Sequence, residues 1–166
     1  MGGSQSIVCD PRGSDGSGNN KKKNQLKGSC LCGQVKFHFP NPQMFQAFYC
    51  CHCTQCQKAT GSAHAANLFT GPENIEWTNG SEDWIQRYTV PGRTITKAFC
   101  RTCGAAVPYV SESGQVIVVP AGCLDGPAPL PLTPDYHIFW AERAAWYDEG
   151  LHAPTVPGFP EHAVKE

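Results

Sequence analysis

The chain has 166 residues, a formal net charge of −1 and only 16% charged residues. That length fits one domain with a core of its own, and the near-neutral balance argues against nucleic acid, whose binders carry a basic face. No apolar run reaches the ~20 residues that a membrane span requires.

Residues 1–26 are rich in Gly, Ser and Asn and read as a disordered tail. Met1 to Lys27 lacks the apolar block of a secretory leader, which predicts a reducing, cytoplasmic setting where clustered cysteines bind metal. Met1-Gly2-Gly3-Ser4-Gln5-Ser6 fits the M-G-x-x-x-S myristoylation pattern, with Cys9 and Lys21-Lys22-Lys23 as companion signals. Membrane contact is therefore expected only if Gly2 is lipidated; the plainer alternative is a solvated polar tail.

Residues 27–150 make the domain, and its elements are short. Cys32-Gly33 marks a tight turn, with Gly33 free to take a positive φ. Gln34 to Phe39 alternates, Val35, Phe37 and Phe39 on one face and Gln34, Lys36 and His38 on the other, which predicts a half-buried strand ended by Pro40-Asn41-Pro42. Phe45 to Cys50 is the next strand. Thr54 to Thr60 predicts a short helix with Thr54 as N-cap and Gly61 closing it. Cys56 then lies in the first turn, where the helix dipole favours a thiolate.

Ala63 to Phe69 reads as a strand, and Trp77, Trp84 and Ile85 predict a strand pair about the Asn79-Gly80 turn. Thr94 to Phe99 alternates before Cys100, and Val107–Val110 with Gln115–Val119 forms a hairpin about Ser113-Gly114. A proline-rich connection, Pro127 to Pro134, precedes extended structure at His137 to Trp140. Residues 151–166 read as a surface tail holding three prolines. About eight short strands and no long helix place the chain in the mainly β class.

Seven of the ten cysteines form three clusters: Cys30-x-Cys32, Cys51-x-Cys53-x-x-Cys56 and Cys100-x-x-Cys103. A zinc site takes about four soft ligands, and such short spacings place two of them on one turn. Two pairings are open on spacing alone. In one, Cys53 and Cys56 join Cys100 and Cys103 in a four-thiolate ribbon, as in a binding or scaffold module. In the other, Cys30, Cys32, Cys100 and Cys103 close one site, while Cys51, Cys53 and Cys56 form a second with an open position, as an enzyme needs.

Three motifs in order carry a resemblance. Gly28-Ser-Cys30-x-Cys32-Gly33-x-Val35, Cys51-His-Cys53-x-x-Cys56-Gln-Lys-x-x-Gly61-Ser62 and Phe99-Cys100-x-x-Cys103-Gly104 resemble the glutathione-dependent formaldehyde-activating enzyme family, or CENP-V/GFA domain. Gly122-Cys-Leu124-Asp125, His137-Ile-Phe139 and Arg143-x-x-Trp146 extend it to about Tyr147. The resemblance implies an Mss4-like fold of several short coiled sheets around zinc sites. It also implies two zinc ions per chain, a structural one on Cys30, Cys32, Cys100 and Cys103 and a second on Cys51, Cys53 and Cys56, where the substrate thiol binds. The implied activity condenses glutathione with formaldehyde to S-hydroxymethylglutathione, a carbon–sulfur lyase reaction in reverse. The alternative is a non-catalytic zinc module that binds a macromolecule.

The ligand chemistry favours a thiol substrate apart from the family. Three thiolates on Zn²⁺ make a softer, weaker Lewis acid than neutral histidines do, poorly suited to making hydroxide. Such an ion still keeps a fourth soft ligand deprotonated near neutral pH. The ligand set thus gives the reason for a small thiol partner, and the family resemblance implies a small aldehyde as the other.

The remaining residues have plainer readings. Cys50 should point away from Cys51 into the core, and Cys123 also reads as core. His52, between two ligands, should face away from the metal and is expected at the surface. His64 is a candidate proton carrier against a packed or exposed histidine. His137 fits the family motif or a structural hydrogen bond. Lys58, Arg93, Lys97, Arg101 and Arg143 could receive glutathione carboxylates or could simply be solvated. Phe37, Phe45, Trp77, Trp84, Phe99, Trp140 and Trp146 read as core.

Overall fold

The computed structural model describes residues 25–158 except 79, 93–94 and 127–132. The lipidation pattern, the lysine run, Cys9, Arg93 and most of the proline-rich connection lie outside the described residues.

Three small sheets build a mainly β domain. In the first, β1 (Leu26–Ser29) pairs antiparallel with β2 (Lys36–Phe39), and β5 (Glu76–Trp77) pairs on the other side of β2. The alternation in β2 works as the period of two requires. Val35, Phe37 and Phe39 are buried, while His38 turns outward to Glu76, 3.1 Å away. The β1–β2 turn carries Cys30 and Cys32, and Gly33 closes it at φ 76°, a value that costs glycine little. Gly28 is required for a different reason. A Cβ there would lie 2.3 Å from the Phe37 ring and 2.7 Å from the Cys123 carbonyl oxygen.

The second sheet has the order β10-β3-β4-β9-β8. Its members are β3 (Ala47–Cys51), β4 (Ala65–Thr70), β8 (Tyr109–Val110), β9 (Ile117–Pro120) and β10 (Tyr136–Ile138). All neighbours are antiparallel except β10, which runs parallel to β3. The third sheet is the pair β6 (Ile85–Thr89) and β7 (Thr96–Cys100). Between the sheets lie Phe37, Phe39, Phe45, Leu68, Val107, Ile117 and Val119. Phe39 meets Phe37 edge-on at 5.6 Å and Phe45 at 4.9 Å, separations typical of favourable aromatic pairs. Among the described residues there are two short α-helices, α1 (Thr54–Thr60) and α2 (Tyr147–Gly150).

Two expectations fail. Trp77 and Ile85 do not pair across Asn79-Gly80: Trp77 joins β2, Ile85 joins β7, and Trp84 lies in a 3-10 turn between them. Apolar neighbours flanking a turn signal favour a hairpin locally, but each short strand here gains more by extending an existing sheet. The tryptophans are also not all core. Trp84, Trp140 and Trp146 are 38%, 42% and 61% exposed, because they sit on 3-10 turns and connections outside the packed layers. Among the described residues no helix is long and apolar enough to cross a membrane.

Candidate metal centres

The β1–β2 turn and the end of β7 bring four thiols together. Cys30, Cys32, Cys100 and Cys103 have their sulfur atoms all within 4.8 Å of one another. Cys30 Sγ lies 3.5 Å from Cys32 Sγ, which lies 3.8 Å from Cys100 Sγ. Zinc–sulfur bonds of ~2.3 Å at tetrahedral angles put sulfurs about 3.8 Å apart, so the group already has the size of a zinc cage. Backbone donors reach two of these sulfurs. The Val35 N–H points at Cys30 Sγ, 3.2 Å away, and the Ala105 N–H beside Cys103 holds that thiol down to about 6.

The second group is local. Cys51 ends β3, Cys53 precedes α1 and Cys56 lies in its first turn, again with all sulfurs within 4.8 Å. Cys51 Sγ and Cys53 Sγ are 3.6 Å apart. The helix spans the residues expected and closes on Gly61 at φ 63°, but its N-cap is Cys53 rather than Thr54. Cys53 has the extended backbone of a cap, and its sulfur accepts the Cys56 N–H at 3.4 Å. The Thr54 N–H is instead taken by Glu142 Oε2 at 3.0 Å. Burial works against charge on Cys53, but the Cys56 N–H, the Cys56 and Cys51 thiols and the Gln55 N–H together outweigh it and the thiol is lowered. Burial, together with the neighbouring Cys51 and Cys53, pushes Cys56 far up, and burial raises Cys51. Three sulfurs this close ionise together only around a cation, and a soft dication matches the donor set. Cys51 is buried, whereas Cys53 and Cys56 keep partial access to solvent.

The seven thiols thus fall into a group of four and a group of three, and Cys53 and Cys56 do not share a group with Cys100 and Cys103. Cys50 is buried as expected. So is Cys123, whose thiol donates to the Pro120 carbonyl at 2.8 Å and is pushed by burial up to about 12.

His52 does point away from the thiols, as its place between them requires, but it is fully buried rather than at the surface. β10 lies against β3, so the His52 N–H donates to the Ile138 carbonyl at 3.0 Å and Nε2 meets His137 Nδ1 at 2.8 Å. The next turn folds over the ring. Phe139, in a left-handed conformation at φ 55°, reverses the chain and lays Trp140 edge-on against His52 at 5.0 Å. Tyr147 closes the other edge at 4.9 Å, and His64 stacks alongside at 5.0 Å. Burial, then His64 and His137, lower His52, and burial with His137 lowers His64. Gln57 ties this layer to α1 by donating to the His52 and Glu142 carbonyls. His137 was readable as a structural hydrogen-bonding group, but its partner and the rest of this brace were not, because the pairs lie about 85 residues apart.

The basic candidates separate by place. Arg143 forms a salt bridge with Asp148 at 2.6 Å and stacks on Trp140, and Arg101 lies over Trp84. Lys58 is exposed on α1. Lys97 lines a small cavity that opens on Cys56.

A mainly β domain holding one four-thiol group and one part-open three-thiol group defines a cysteine-rich domain whose thiol groups could hold metal ions. The pattern of the family described as glutathione-dependent formaldehyde-activating enzyme matches residues 25–142, and the chain belongs to that family. A Halomonas elongata protein, provisionally named a glutathione-dependent formaldehyde-activating enzyme, is 27% identical over 151 residues, 85% of this chain and 92% of its own. A Rhodobacter sphaeroides protein of known crystal structure is 24% identical, covering 65% of this chain and 97% of its own, with a TM-score of 0.47.

Proposed function

We propose that this chain is a zinc-dependent carbon–sulfur lyase-type enzyme. It condenses glutathione, or a similar thiol, with formaldehyde or a related small aldehyde to an S-hydroxymethyl adduct. The observation that carries this reading is the part-open group of Cys51, Cys53 and Cys56, separate from a four-thiol group that needs no further ligand. Family membership supports the substrates.

Cys30, Cys32, Cys100 and Cys103 would hold a structural zinc, and Cys51, Cys53 and Cys56 a second. Zinc held by three thiolates supplies a soft position that keeps an added thiol deprotonated. The chain's own residues do the rest. The Cys56 N–H fixes the direction of Cys53 Sγ, and the helix start sets Cys56 beside it. The His52–His137 contact and Trp140 hold the intervening loop from behind. In the reaction the substrate sulfur bonds to the aldehyde carbon and the carbonyl electron pair moves to oxygen. The proton given up by the thiol goes to solvent, and an equal one returns to that oxygen, so thiol plus aldehyde equals adduct.

Metal counting tests the assignment. The expected result is two zinc ions per chain, one of them removed readily by a chelator and protected by glutathione. One tightly held zinc, lost alike on Cys53→Ser and Cys100→Ser, would instead support a non-catalytic module.

A further inference from the structure

Beside Cys56 lies a cavity of about 90 Å³ between α1, β4, β7 and β8. Ala59, Ala65, Ala66, Ala98 and Ala106 wall it, so its space comes from side chains that stop at Cβ. That is well below the ~150 Å³ of an apolar cavity that takes up benzene, so the space suits a small molecule. Besides Cys56, its polar lining is Tyr109 from β8, with Thr60, Asn67, Thr96 and Lys97, and Tyr109 is the most acidic hydroxyl among them. His64, a candidate proton carrier weighed against a packed histidine, does not line it and is packed against His52 and Tyr147.

We propose that this alanine-walled cavity holds the aldehyde, and that Tyr109 is the catalytic residue that protonates its oxygen. The assignment rests on the condensation proposed above. Tyr109 suits the task by place and by chemistry. Its strand is pinned to β9 by the Tyr109–Val118 and Val110–Ile117 pairs, so the phenol is held by a sheet rather than a loop. Tyr109 is half-buried and lines the same cavity as Cys56. A phenol is protonated near neutral pH and can donate its O–H. As the substrate sulfur bonds to the carbonyl carbon, the π pair moves to oxygen and Tyr109 gives that oxygen its proton. The proton that the thiol gave up to solvent then restores the phenol. The small walls set the other half of the assignment, since each added carbon on the aldehyde must be fitted against an alanine methyl.

The test compares wild type, Tyr109→Phe and Ala66→Val, using glutathione with formaldehyde or acetaldehyde and measuring zinc content in each protein. Tyr109→Phe keeps the ring and removes only the hydroxyl. It is expected to lower kcat by roughly 10²–10³-fold, the scale of losing one oxyanion donor, with KM for glutathione within about threefold and zinc content unchanged. Ala66→Val is expected to lower kcat/KM for acetaldehyde at least roughly tenfold more than for formaldehyde, as overfilling a small pocket does. Independently of turnover, the ¹³Cζ resonance of Tyr109, assigned by its loss in Tyr109→Phe, should shift when aldehyde is added with thiol and stay in place with thiol alone. An active wild type with Tyr109→Phe within about twofold of it, or an unmoved resonance, overturns this assignment and leaves the condensation standing. Equal effects of Ala66→Val on both aldehydes overturn the cavity as the aldehyde site. A wild type that forms no adduct overturns the condensation, and this assignment with it.

Discussion

His52 Nε2 lies 2.8 Å from His137 Nδ1, joining the loop that carries Cys51 and Cys53 to a strand 85 residues further along the chain. The contact lies behind the three-thiol group and is fully enclosed on the His52 side. A loop that must present three sulfurs at fixed separations needs such support, because a small shift in one ligand loosens the whole set.

His137→Ala should therefore act in two ways. It leaves buried His52 Nε2 without its partner, a loss of about 1–3 kcal/mol measurable by urea unfolding. It should also speed release of the second zinc to a chelator while leaving the first in place. An unchanged release rate would mean that the contact serves the fold alone.

The same histidines set a pH dependence. Burial lowers both His52 and His64 below the ordinary value of 6.5, so the unfolded chain binds more protons than the folded one below that pH. Stability is then fully present above about 6.5 and lost as pH falls towards the depressed folded values. Thermal unfolding scanned downward from pH 7.5 should show this, and His64→Gln should flatten part of the slope. A stability that rises on acidification would contradict the assignment.

The two thiol groups should fail differently. Cys100→Ser removes a fully buried member of the four-thiol group and should cost the fold, since structural zinc contributes folding free energy directly. Cys56→Ser should keep the fold and the first zinc, lose the second, and lower activity more than roughly 10³-fold. Circular dichroism with metal counting reads both.

Gly28→Ala tests the packing over the first group. The added methyl would meet the Phe37 ring and the Cys123 carbonyl, and the carbonyl is backbone that cannot swing aside. Overpacking of this kind costs about 1–3 kcal/mol, readable as a lower midpoint in denaturant. A neutral substitution would show that β1 and the turn after β9 can move apart.

What could be read from the residues is what short-range physics decides. The alternation of Val35, Phe37 and Phe39 predicts the buried face of β2 because a strand has a period of two, and Gly61 marks the end of α1 because it adopts the left-handed region there. The three cysteine motifs were legible because ligand spacing is itself local. What could not be read depends on distant pairing. Alternation correctly turned His52 away from the thiols, yet nothing near it announced that β10 would run parallel beside β3 and cover it. Trp140 and Trp146 looked like core by type, but Trp140 roofs the histidine layer from outside. Thr54 was the better N-cap by side chain, and Cys53 won because its sulfur was already held at the helix start. Tyr109 carries no motif, and only the meeting of β8 with α1 and β7 brings it near Cys56.

The central claim is that a thiol enters at Cys51, Cys53 and Cys56 and leaves bonded to an aldehyde carbon. NMR saturation transfer between formaldehyde hydrate and S-hydroxymethylglutathione measures this directly. The account predicts exchange well above the protein-free rate for the zinc-loaded chain, and none above it for Cys56→Ser. Exchange at the protein-free rate with both zinc ions bound would contradict it.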